Sequence, residues 1–127
     1  MKSILFLVVM AAAGHWIYTN YFSSPMLGTW QSNKERTLDQ WKEDGIDSRV
    51  RSQFKPILGL GQLDISQSTW RFSLQGSVDS SQYDVLANRG QCSQLLIRDE
   101  IHDTCVYGDE LHVSMASFNS TEIFTRR

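Results

Sequence analysis

Three histidines, fourteen acidic residues and two cysteines are the side chains best suited to chemistry in this chain of 127 residues. His15 lies in an apolar run, His102 in "RDEIHD" and His112 in "ELHVSM". A hydrolytic nucleophile needs a base within reach and a positioned turn, yet neither Gly-x-Ser-x-Gly nor a two-histidine zinc helix nor a phosphate loop occurs. His102 with Asp99, Glu100 and Asp103 has the atom types of a metal site. A hairpin tip is equally polar for solvation alone, so no metal is assigned. The acidic groups in "KED", "RDE" and "GDE" fall on a helix surface or in turns. No catalytic residue and no cofactor is expected, and the protein is read as a non-enzyme.

Cys92 and Cys105 lack the two-residue spacing of a redox or zinc pair. Their midpoint falls at Arg98-Asp99, between "CSQLLI" and "HDTCVY". A hairpin turning there places the cysteines opposite one another, and a cross-strand disulfide is expected. Such a bridge is worth about 2–4 kcal/mol.

The elements that would position any site are mostly strands. "QLDIS" alternates Leu63 and Ile65 against polar neighbours; "TWRFSLQ" alternates Trp70, Phe72 and Leu74; "QYDVLA" alternates Tyr83, Val85 and Ala87; "LHVSMA" alternates Leu111, Val113 and Met115. A period of two with one apolar face marks half-buried strands. Turn signals "GSVDSS", "NRG", "YGDE" and "SFNS" separate them. With "TWQSN", "CSQLLIR", "TCVY" and "TEIFTR" the pattern predicts a mainly β chain of eight short antiparallel strands, an up-and-down barrel rather than a sandwich.

A helix pair is predicted between the first two strands. Thr37-x-x-Gln40 reads as a capping box with Asp39 in the first turn. Gly45 stops that helix, with Ile46 reaching back to Trp41. A second start follows at Asp47 or Ser48, Val50 and Phe54 share a face, and Pro56 ends the helix near Lys55.

The address is read from the first residues. Lys2 and the run "SILFLVVMAAAG" resemble a signal peptide with Ala11-Ala12-Ala13 before the cleavage point. Residues 4–22 also approach the roughly 20 apolar residues that cross a bilayer, and Trp16, Tyr18, Tyr21 and Phe22 would form its aromatic belt. Residues 1–23 are thus a signal peptide or an N-terminal membrane anchor, and residues 24–127 the domain. Both readings place the domain outside the cytoplasm, periplasmic or secreted in one, tethered to the inner membrane in the other. Twelve Lys and Arg against 14 Asp and Glu, scattered along the chain, supply no stripe for nucleic acid.

"GTWQSNKERTLDQWKEDG" resembles the opening of the calycins, the lipocalins and fatty-acid-binding proteins, in which a Gly-x-Trp strand begins an eight-stranded barrel. The chain is also similar to small exported bacterial proteins that begin GTWxS and end in a Phe-x-Arg strand. The resemblance implies that Trp30 packs across the closed end beneath Arg126. It does not carry over the fatty-acid carboxylate site, because the chain ends Thr125-Arg126-Arg127 instead of Arg-x-Tyr.

The expected function is a non-catalytic exported binding protein for a small hydrophobic ligand, walled by Trp70, Phe72 and Tyr83 and lidded by Trp41 and Phe54. Two alternatives stand beside it. One is an envelope factor, inhibitor-like or immunity-like, that binds a protein partner through the disulfide-braced tip at residues 98–103 with its acidic residues outward. The other is a tethered structural component of the envelope.

Overall fold

A computed structural model describes residues 25–115 and 120–127, and the expectations for residues 1–23 and for the Met115 side chain lie outside the described residues. The strands are β1 (Gly28–Ser32), β2 (Gln62–Ile65), β3 (Thr69–Leu74), β4 (Ser77–Arg89), β5 (Cys92–Ile97), β6 (Glu100–Tyr107), β7 (Glu110–Met115) and β8 (Ser120–Arg126). Each pairs antiparallel with the next and β8 returns to β1, so the eight strands close a barrel. Closure removes the two terminal edge strands that an open sheet would have.

The alternation read from the sequence sets the inward rows. Trp30, Leu63 and Phe72 face one another across β1, β2 and β3. Leu95, Ile97, Tyr83, Leu111, Val113 and Phe124 complete the buried core with Ile65 and Met26. Directly paired residues project to the same face, so each row alternates in or out as a unit.

Two expectations about β4 are corrected. "GSVDSS" is not a loop: the turn is confined to Gln75 and Gly76, at φ 50° and 83°, and Ser77 to Ser81 already pair with β3. Positive φ at both central residues gives the tight hairpin turn whose twist matches the strands, so the polar run beyond it stays in the ladder. Val85 follows the inward register opposite Leu95 but is 47% exposed. Pairing with β3 ends at Thr69–Gln82, and a bulge lies between Val85 and Ala87. That end of β4 therefore projects past its β3 neighbour.

Helix α1 spans Lys34–Glu43 and α2 spans Ser48–Phe54, both between β1 and β2. The first begins earlier than the capping box suggested. Asn33 is the N-cap, its side chain accepting from the Arg36 N–H at 3.1 Å, and Thr37 lies inside the helix. The stop follows the sequence: Gly45 sits at φ 78° and its N–H binds the Lys42 carbonyl, while the Ile46 N–H binds that of Trp41. These two bonds are the Schellman pair. Asp47 caps α2 through the Arg49 N–H.

The barrel has two unlike ends. At the floor, Trp30 is fully buried, its indole N–H donates to the Met26 carbonyl at 2.8 Å, and the Arg126 guanidinium lies 4.1 Å from its ring centroid. Arg126 also donates to the carbonyls of Leu27 and Pro25. Gly28 is needed there, because its φ is 127° and a Cβ would approach Arg126 Nη1 to 3.1 Å. The β3–β4 and β5–β6 turns lie at the opposite end, the mouth.

The disulfide Cys92–Cys105 joins directly paired residues of β5 and β6. It does not brace the tip at residues 98–103. Six paired positions run from Cys92–Cys105 to Ile97–Glu100, and the cysteines occupy the end of the hairpin away from the mouth. The tip is instead held by an ion pair from Arg98 to Asp79 of β4.

Candidate functional site

The mouth holds a cleft of about 500 Å³ lined by Trp70, Phe72, Asp79, Ser81, Ile97, Arg98, Glu100 and His102. Its size is that of a small-molecule site. Trp70 and Phe72 come from β3, Asp79 and Ser81 from β4, Ile97 from β5, and Glu100 and His102 from β6. Alternation puts these β4 and β6 side chains on the inward rows: Phe72 pairs with Asp79, Trp70 with Ser81, and Leu95 with His102. The result is an apolar floor under a polar rim. Glu100 and His102 therefore face the cleft, while Ile101 between them is 54% exposed.

The rim has internal order. Arg98 and Asp99 both take positive φ, 50° and 64°, in a turn that usually holds Asn-Gly. That turn sets the Arg98 guanidinium on Asp79 of the neighbouring strand β4. His102 Nε2 is 3.6 Å from Glu100 Oε2, and Nδ1 is 3.4 Å from the Ser114 carbonyl.

The five predicted ligand contacts divide into three groups. Trp70 and Phe72 line the cleft. Tyr83 lies in the core, edge-on to Trp70 at 6.5 Å, and its hydroxyl donates to the Ser66 carbonyl at 2.5 Å. Burial pushes the Tyr83 phenol pKa upward. Trp41 and Phe54 meet each other edge-on at 5.9 Å, away from the residues that wall the cleft. The Trp41 indole N–H donates to the Thr121 carbonyl at 2.8 Å, which fastens α1 to β8 rather than laying it across Trp70 and Phe72.

Glu122 is an inward-facing acidic residue that the sequence reading missed. It pairs with Val113, whose other partner is Thr104, so it points into the barrel. Burial raises its pKa, and a hydrogen bond from Ser32 at 2.9 Å opposes that rise. The signal was present in "TEIFTR": Glu122 and Phe124 share a face by period two, the face that ends in Arg126. Asp79 was missed because its segment read as a turn, and Arg98 because nothing local shows that a turn residue reaches the neighbouring strand.

A second cleft, of about 560 Å³, lies beside the start of α1 and the segment from Leu58 to Leu60. Four of its polar side chains are already engaged within the protein. The Gln31 amide donates to the Gly59 and Gly61 carbonyls, Ser32 to Glu122 and Asn33 to Thr125. The mouth is the better candidate. Among the described residues, no three His, Cys, Asp or Glu side chains gather as a metal site, and no helix is long and apolar enough to cross a membrane.

Compared with models of protein families, with characterised proteins and with solved structures, the chain has no match.

Proposed function

We propose that the domain is a non-catalytic, calycin-like binding protein, exported from the cytoplasm, that holds a small molecule with an apolar body in its barrel mouth. The observation that carries this reading is the cleft, with Trp70, Phe72 and Ile97 beneath Asp79, Ser81, Glu100 and His102. Apolar walls with a few placed polar groups are what small-molecule sites require. The ligand's apolar part rests on the aromatic floor and its polar end meets the rim.

The test is native mass spectrometry of the protein expressed with its own first residues and recovered without added lipid. A bound mass released on denaturation is expected. A Ser81→Trp variant, which fills the cleft from its rim, should lose that mass. A bare chain from the wild-type protein, with no gain of mass on adding a medium-chain alcohol, would count against the reading.

A second reading is a protein-binding envelope factor acting through hairpin β5–β6. It draws on Ile101, 54% exposed and directly paired with Leu96 on the outer face. Loss of partner capture in Ile101→Ser, with ligand mass unchanged, would favour it.

A further inference from the structure

Glu122 and Ser120 both belong to the inward rows of β8, Glu122 opposite Val113 and Ser120 opposite Met115. Neither suits an apolar barrel interior. A carboxyl removed from water without a cation is costly, and Glu122 has a single hydrogen-bond partner among the described residues, the Ser32 hydroxyl, which binds Oε1. Its raised pKa has burial as the leading cause, and no cation contributes to it. Ser120 is 2% exposed, and its Oγ has no hydrogen-bond partner among the described residues. Buried polar atoms are almost always satisfied, and an exception calls for a missing partner.

Neither group lines the cleft itself, but the register places both in the barrel interior next to rows that reach it. Thr104 pairs with Val113 and Val113 with Glu122. Two residues towards the mouth from Thr104 and Glu122, the inward positions of β6 and β8 are His102 and Ser120, and His102 is a cleft wall. On the other side, the Ser32 N–H binds the Gly61 carbonyl, and Gly61 packs so closely on Phe72 that a Cβ would lie 2.6 Å from its ring. Phe72 is the second cleft wall to border this region.

The chemistry of the region is one-sided. Glu122 offers carboxylate oxygens and Ser120 a hydroxyl, while Asp79 and Glu100 stand at the rim. Arg98, the one lysine or arginine of the cleft wall, is already paired with Asp79. An anionic head group would meet carboxylates. A head group rich in N–H donors would find acceptors, with the faces of Trp70 and Phe72 adding attraction for a cation.

We propose that Glu122 and Ser120 form the inner polar subsite of the mouth, and that it takes the ammonium head of an amphipathic amine whose chain lies on Trp70 and Phe72. This rests on the binding reading given above. The ammonium donates to the Glu122 carboxylate and to Ser120 Oγ, supplying the missing partners, and a charge-assisted bond of this kind discriminates strongly between head groups.

Calorimetric titration of the full chain with decylammonium, decanol and decanoate tests it, alongside Glu122→Gln and Ser120→Ala. Decylammonium should bind about tenfold or more tightly than decanol, the ratio given by about 1.4 kcal/mol. Glu122→Gln should bring the amine down to the level of the alcohol. Ser120→Ala should reduce the amine preference in part. Equal binding of the amine and decanol, or an amine preference that survives in Glu122→Gln, overturns the subsite and leaves the binding reading standing. Failure of all three probes to bind overturns both.

Discussion

The hydroxyl of Thr37 engages both backbone polar groups of Ile123, accepting from its N–H at 2.9 Å and donating to its carbonyl at 3.2 Å. The ladder between β1 and β8 explains why. Pairing runs from Trp30–Arg126 to Ser32–Phe124, and the Asn33 N–H still reaches the Ile123 carbonyl. There the chain leaves the barrel for α1, and the edge of β8 loses its partner. Side chains of α1 replace it: Thr37 binds Ile123, and one turn later Trp41 binds the Thr121 carbonyl. A helix that follows the first strand at once is therefore part of the barrel's closure.

Replacing Thr37 by Val keeps the shape and removes the hydroxyl. Thr37 is fully buried, so the Ile123 N–H would be left without a partner in a dry position. The expected cost is about 1–3 kcal/mol, read as a lower urea midpoint with an unchanged slope. Thr37→Ser, which keeps the hydroxyl, should fall much closer to wild type. Equal midpoints for Thr37→Val and wild type would mean that α1 does not close the edge.

The legible parts of the fold are those fixed by neighbours in sequence. The Gly45 stop, the Asp47 cap and the opposition of Cys92 and Cys105 follow from local spacing and match the structure. Thr37 was misread as a cap because a Thr-x-x-Gln pattern looks the same whether the hydroxyl turns to its own helix or to a strand 86 positions away. The mouth was only half legible for a related reason. Trp70 and Phe72 declare an inward face, but the polar rim comes from Asp79, Glu100 and His102, whose inward orientation depends on register across strands. A polar residue inside a barrel reads in sequence as a polar residue outside it.

Gly28 and Arg126 should behave as a coupled pair. Gly28→Ala forces a side chain into φ 127° and brings its Cβ to 3.1 Å from Arg126 Nη1. Strain of this kind costs of order 1–3 kcal/mol. In Arg126→Ala the close contact is gone, so adding Gly28→Ala should cost less than it does in the wild-type background. The excess is the coupling energy of a double-mutant cycle. Strict additivity of the two urea midpoints would place the whole cost in the backbone and none in the guanidinium contact.

Two carboxylates should bend the stability curve in opposite directions. Arg36 of α1 grips Glu110 of β7 through Nε at 2.8 Å and Nη2 at 3.1 Å. That hydrogen-bonded cation is the main reason the Glu110 pKa falls from 4.5 to about 2, with His112 assisting. The stability it confers is complete above pH 4.5 and is lost as pH falls through about 2, because the unfolded chain takes up its proton first. Exposure keeps this contribution modest. Glu122 has the reverse sign. Its pKa is raised above 4.5 by burial, so the unfolded state releases its proton first as pH rises, and stability declines from 4.5 upward until the native group also ionises. Urea midpoints measured from about pH 2 to about pH 8 should therefore pass through a maximum on the acid side of neutrality. Arg36→Gln should flatten the acid limb alone. Glu122→Gln, whose side-chain carbonyl can still accept from Ser32, should flatten the upper limb and raise the midpoint at neutral pH. An unchanged upper limb in Glu122→Gln would show that this carboxyl is solvated in the native protein.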